Sequence, residues 1–171
     1  MYKVNPYRPG AGTSPLYLAG REVDENEVNG MFEALVNKVP VSSVIYSGLR
    51  GVGKTVLLNR FQKIAEEKSI FCKYIEVETR QDFISQIVAC SQAFLREVSS
   101  KEKVKNLLSK ALDALKTLVI SFDVKNTTFT VSSQERELYT STSLTQSLTD
   151  VFVYMGQTAL ETDTPICFFI D

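Results

Sequence analysis

Residues 41–61 read VSSVIYSGLRGVGKTVLLNRF, and three different patterns meet in them. Residues 41–47 are short and rich in β-formers and end at Gly48, the signature of a buried strand. Residues 48–55, Gly48-Leu49-Arg50-Gly51-Val52-Gly53-Lys54-Thr55, match the pattern G-x-x-x-x-G-K-[ST] in full. From Lys54 to about Glu67, Leu57, Leu58, Phe61, Ile64 and Ala65 recur at helical spacing. The order is therefore strand, glycine-rich turn, helix. Such a turn aims successive backbone N–H groups inward and makes a concave nest for an anion. Glycine is required where a side chain would block the approach or forbid the backbone angles. The new helix adds its free N–H groups and the positive end of its dipole.

That arrangement is a phosphate-binding loop. Lys54 places a point charge on the β- and γ-phosphates of a nucleotide, and Thr55 offers its hydroxyl to Mg²⁺. The candidate nucleotide-binding residues are Gly48, Leu49, Arg50, Gly51, Val52, Gly53, Lys54, Thr55 and Val56. The alternative is an ordinary glycine-rich turn carrying a surface lysine. The strand pattern before the loop and the helix pattern after it favour the phosphate reading. A second half of the site is expected at Asp171. Ile166-Cys167-Phe168-Phe169-Ile170 is an apolar run ending in that carboxylate. In parallel α/β sheets ligands sit at the C-terminal edge of the strands, and an Asp delivered there holds Mg²⁺. The plainer alternative is a turn or cap aspartate after a strand. The metal candidates are thus Thr55 and Asp171.

Outward from the loop, residues 1–19 are a Pro/Gly-rich stretch that reads as an extended arm. After Gly20, Val28, Met31, Phe32, Leu35 and Val36 mark a helix, which Pro40 bars from continuing. Phe71 to Val77 reads as a second strand, and Thr79 as the cap of a helix carrying Ile84, Ile87, Val88, Phe94, Leu95 and Val98. A further helical stripe holds Val104, Leu107, Leu108, Ala111, Leu112 and Leu115. The period then changes to two: Ile120, Phe122 and Val124, then Phe129 and Val131 beyond Lys125-Asn126, suggest a β-hairpin. Residues 132–143 are Ser/Thr-rich and read as a mobile loop. Leu144, Leu148, Val151, Phe152, Met155 and Ala159 form a last helical stripe, broken at Asp163-Thr164-Pro165. The expected fold class is α/β: a parallel phosphate-loop sheet with helices on both faces and an inserted helical pair and hairpin at about 80–143. Residues 20–171 form the domain, behind the arm at 1–19.

Bulk properties exclude several functions. The chain has 171 residues, enough for one domain with a real core. Its net charge of −1 gives no bulk attraction to nucleic acid or to an anionic membrane. There is no histidine, which removes histidine-based catalysis and the common zinc sites within this chain. Cys72, Cys90 and Cys167 lie far apart among apolar residues and read as reduced core thiols of a cytoplasmic protein. Met1 to Gly12 lacks the apolar run of a signal peptide, and no stretch approaches the roughly 18 apolar residues of a membrane span.

Several residues carry two readings. Gly20 and Arg21 lie where they could frame the base of a nucleotide or a neighbouring subunit, or simply start a helix with Glu22 and Asp24. Arg50 touches phosphate or faces solvent, with solvent favoured. Tyr7 and Tyr17 stack on an adenine or pack the arm down. Lys101-Glu102-Lys103 reads as a solvated helix start.

Taken together, NPYRPGAGTSPLYLAGRE, VIYSGLRGVGKTVLLNRF and LTDVFVYMGQTALETDTPICFFID resemble bacterial and archaeal AAA+/STAND-type ATPases, relatives of the replication-initiator ATPases of the origin-recognition group. The loop is generic to phosphate-loop proteins; Gly20-Arg21-Glu22 and the late apolar strand with Asp171 are more specific. The resemblance implies ATP with Mg²⁺, Lys54 as the phosphate lysine, Thr55 as a metal ligand, Asp171 as the Walker B aspartate, and Gly20 and Arg21 near the adenine. It implies a sheet of order 5-1-4-3-2, in which the strand between those of the two Walker segments follows both in sequence. The Glu that normally follows the Walker B Asp, the sensor strand, the arginine finger and the helical lid are not in these residues. The resemblance therefore implies the N-terminal part of a longer ATPase, one that binds nucleotide weakly and does not hydrolyse it alone. The function expected is an ATP-dependent switch or assembly protein, its partners being the nucleotide and, on assembly, further copies of itself. The alternatives are a nucleotide-binding regulatory module without turnover and a DNA-associated helper of replication or transposition, which the net charge does not favour. A nucleotide kinase fits the loop but not the long span from Lys54 to Asp171.

Overall fold

The computed structural model describes residues 20–100, 104–121 and 143–171. They are mostly helical, with five helices and one two-stranded parallel sheet among them. The chain divides into two units. The first comprises residues 1–74, 167–169 and 171; the second comprises 75–166 and 170.

In the first unit, helix α1 spans Glu22–Val36 and α2 spans Lys54–Glu67. Glu22, Asp24 and Glu25 in the first turn of α1 complement its dipole. Behind its last turn Lys38 takes φ 60°, and Val39 N–H, immediately before Pro40, donates back to the Ala34 carbonyl at 2.9 Å. The two helices bury one cluster: Val28 and Phe32 from α1 with Leu57, Phe61, Ile64 and Ala65 from α2. Strand β1, Phe71–Ile75, pairs with β2, Ile166–Ile170. Phe169 closes the cluster with its ring edge-on to Phe32, centroids 6.3 Å apart. Two ion pairs tie the ends of the helical layer, Arg60 to Glu25 and Lys68 to Glu33, each at 3.2 Å. Both are partly exposed, so each contributes about 0.2–1 kcal/mol.

The strand expected at 41–47 is not a strand in the structure. The apolar residues are right for one, but a strand exists only through a backbone partner, and β1 and β2 partner each other. Val41 and Val44 stay exposed and Ile45 is 91% exposed; Tyr46 alone among residues 41–47 packs on the cluster, 5.4 Å from the Phe61 ring.

The second unit is helical. Helix α3 spans Arg80–Val98, α4 Lys105–Ser121 and α5 Leu144–Thr162. Thr79 caps α3 by accepting the Asp82 N–H at 3.2 Å, and its hydroxyl donates to the Asp82 carboxylate. Ser143 caps α5 in the same way through Gln146 N–H. Asp163, in the left-handed region at φ 54°, ends α5. Ile87, Phe94, Leu115, Leu118, Val151 and Met155 are fully buried. Ser91 Oγ, Gln92 Nε2 and Ser147 Oγ are buried without a hydrogen-bond partner. Thr158 and Thr162, equally buried, are satisfied by bonding back to the Tyr154 and Thr158 carbonyls at 2.7 Å.

The hairpin expectation is corrected at its start. Ile120 lies inside α4, because the buried stripe Ala111, Ala114, Leu115, Leu118 and Val119 carries the helical period through to Ser121. The rest of that expectation, Phe122 to Val131, lies outside the described residues, as do the arm at 1–19, Lys101 to Lys103 and residues 132–142. No helix among the described residues is long and apolar enough to cross a membrane.

Candidate functional site

Loop 48–53 takes the conformation its glycines permit. Gly51 and Gly53 have φ 87° and 88°, in the left-handed region where a Cβ is penalised. At Gly48 the constraint is space: a Cβ there would lie 3.3 Å from Val52 Cγ2. Gly53 is the N-cap of α2, which has neither a side-chain cap nor an acidic residue in its first turn. The first N–H groups of this helix are thus left to solvent or to an anion. Leu49, Arg50 and Val52 are exposed, Leu49 at 81%, and Val56 is half-buried.

Lys54 folds back over the loop. Its Nζ donates to the Gly48 and Leu49 carbonyls, both at 2.9 Å. The ammonium is held against the loop by two neutral acceptors that a phosphate oxygen would outcompete. Thr55 Oγ1 donates to Asp171 Oδ2 at 2.7 Å, although 116 positions separate the two residues. The helix that starts at the loop and the strand that ends before Asp171 thus bring both metal candidates together.

Arg21 stands at the start of α1. Its Nη2 donates to the Val52 carbonyl at 3.1 Å, and its Nη1 pairs with Asp24 at 3.0 Å. The guanidinium links the start of α1 to the loop. Gly20, at φ 76°, precedes it and is exposed.

Tyr74 escaped the sequence reading. Its hydroxyl donates to Asp171 Oδ2 at 2.8 Å, the oxygen that Thr55 also uses. The available signal was its place as the second-to-last residue of an apolar strand, but only pairing with β2 brings it to the carboxylate.

Around this site burial raises the Tyr46 phenol above its ordinary pKa, with Asp24 and Glu27 adding to the effect. Burial also pushes the Cys167 thiol up to about 12, and burial with the nearby Glu66 carboxylate pushes Cys72 up to about 11. All three cysteines are free thiols.

The donor set fits a hard cation held in part by substrate. No cluster of three or more His, Cys, Asp or Glu side chains occurs among the described residues. Mg²⁺ does not need one: it is commonly held by one or two carboxylates, water and the phosphates it accompanies. One hydroxyl and one carboxylate, beside a glycine turn and a lysine, fit that requirement.

Comparison of the chain with family models, with curated proteins and with solved structures returned no match.

Proposed function

We propose that this chain binds a nucleoside triphosphate with Mg²⁺, ATP by the resemblance of its motifs, and serves as the nucleotide-binding core of a switch or assembly ATPase. The observation that carries the proposal is the 2.7 Å contact between Thr55 and Asp171. In phosphate-loop proteins the loop Ser/Thr and an Asp at a strand end share the metal. Nothing in the local sequence of either residue requires them to meet.

Each group has a role. The N–H groups of the loop and of the first turn of α2 take phosphate oxygens. Lys54 exchanges its two carbonyl partners for the β- and γ-phosphates. Thr55 and Asp171 hold the metal, which when bound neutralises charge on the β- and γ-oxygens. Arg21 braces the loop through the Val52 carbonyl. The sheet supports the same reading. In the order 5-1-4-3-2 that the resemblance implies, the paired β1 and β2 would be neighbours 2 and 3. Hydrolysis needs a group that positions the attacking water. The residues assigned here do not include one, so the proposal is binding.

Titration with a fluorescent ATP analogue tests it. Lys54→Ala removes a charge-assisted contact of about 1.5–3 kcal/mol, so affinity should fall roughly ten- to a hundredfold. Chelation of Mg²⁺ should weaken the wild-type protein as well. An affinity that ignores both changes would sink the proposal.

A further inference from the structure

We propose that Tyr74 is a positioning residue for the metal-binding carboxylate, and that the Mg²⁺ dependence of nucleotide binding is set in part by its phenol. The inference rests on the nucleotide-site reading above and extends it to a residue outside the loop and outside the apolar-strand-Asp motif.

Two hydroxyls converge on one oxygen. Thr55 Oγ1 lies 2.7 Å and Tyr74 Oη 2.8 Å from Asp171 Oδ2. A carboxylate oxygen accepts two such bonds readily. Together they fix both the rotation of the carboxylate and its distance from α2. Among the described residues Oδ1 accepts no hydrogen bond, and it is the oxygen left to a cation or to its water. The donors differ in kind. Thr55 must also turn a lone pair toward the metal, whereas Tyr74 is not one of the metal candidates. Its ring packs against the apolar cluster between α1, α2 and the sheet. A phenol has only two side-chain torsions, and a packed ring loses little entropy when its hydroxyl is held in one place. Tyr74 is therefore a stiff strut between the core and the carboxylate. Without it, Asp171 is exposed, follows the last residue of β2 and is held by Thr55 alone.

Groups that orient a metal ligand typically contribute about 10–100-fold in metal affinity. Tyr74→Phe keeps the ring in the core and deletes only the hydroxyl. The readout is the ratio of affinities for a fluorescent ATP analogue with and without Mg²⁺, paired with a Mn²⁺ titration followed by electron paramagnetic resonance. The expected result is a ratio about tenfold smaller and a Mn²⁺ midpoint about tenfold higher. In an Asp171→Asn background the same substitution should change neither. An unchanged Mn²⁺ midpoint in Tyr74→Phe, or an equal loss in both backgrounds, overturns the proposal. The wild-type protein gives a second measurement. With tyrosine labelled at Cζ, adding Mg²⁺ to the nucleotide complex should move a resonance among the seven tyrosines, and no movement overturns the proposal. Failure of the site reading looks different: Lys54→Ala would then leave nucleotide binding intact, whatever Tyr74 does.

Discussion

Helices start differently in the two units. In the helical unit α3 and α5 begin on Thr79 and Ser143, whose hydroxyls take the N–H groups of Asp82 and Gln146. In the first unit α2 begins on Gly53, at φ 88°, with no side-chain cap and no acidic residue in its first turn. A capped start satisfies its own donors and stabilises the helix. A bare glycine start forgoes that and leaves the donors aimed outward. The apolar interiors are alike, Phe61 and Ala65 in the first unit being as buried as their counterparts in the second. The helical unit buries Leu115 and Leu118 completely. The first unit sets its polar contacts, Lys54 on two carbonyls and Asp171 under two hydroxyls, at partly exposed positions. The difference lies in the helix starts: α3 and α5 satisfy their first donors locally, and α2 does not.

The largest effects should come from the two cores. Phe61→Ala, in the helix that carries Lys54 and Thr55, should cost about 3–5 kcal/mol in chemical denaturation and take nucleotide binding down with it. Leu115→Ala should cost about 2–5 kcal/mol, yet leave nucleotide affinity near wild type at temperatures where the protein is folded. Equal losses of affinity in the two variants would erase the distinction. Gly53→Ala comes next. Open space surrounds the added Cβ, so the cost is that of the left-handed backbone, about 1–2 kcal/mol, and the loop should lose affinity beyond what the stability change explains. Thr79→Ala should cost about 1 kcal/mol with affinity kept. If Gly53→Ala instead stabilised the protein, α2 would not be a strained start.

The smallest effect is a pH dependence confined to the sheet of the first unit. Cys72 and Cys167 have folded pKa values raised to about 11 and about 12 from an ordinary 9.0. The folded state then holds these protons more tightly than the unfolded one, and its stability falls as pH rises above about 9. Denaturation midpoints at pH 8 and pH 10 should show the loss, and the double variant Cys72→Ala/Cys167→Ala should remove most of it.

Much of this was legible in the residues. The stripe from Leu57 to Ala65 marks α2 because a helix needs only local hydrogen bonds and one apolar face. Thr79 reads as a cap because its partner is three residues away. The strand at 41–47 was misjudged because β-propensity describes fitness for a sheet, not the presence of a neighbour. Ile120 was misjudged because an alternating run and the end of a helical stripe overlap there, and burial of Leu118 and Val119 decided for the helix. Arg21 carried two readings in the sequence; its guanidinium pairs with Asp24 and also reaches the Val52 carbonyl, an acceptor that no pattern of side chains reveals.

By itself the sequence determined which groups the loop carries. Its glycines, Lys54 and Thr55 are contiguous, and their backbone needs are satisfied within a few residues. Only the tertiary structure decided the company that Thr55 keeps. Asp171 and Tyr74 come from two strands far apart in the chain, and they meet at one oxygen because those strands pair. Periodicity states which side of its own element a residue faces; it does not state which distant element lies opposite.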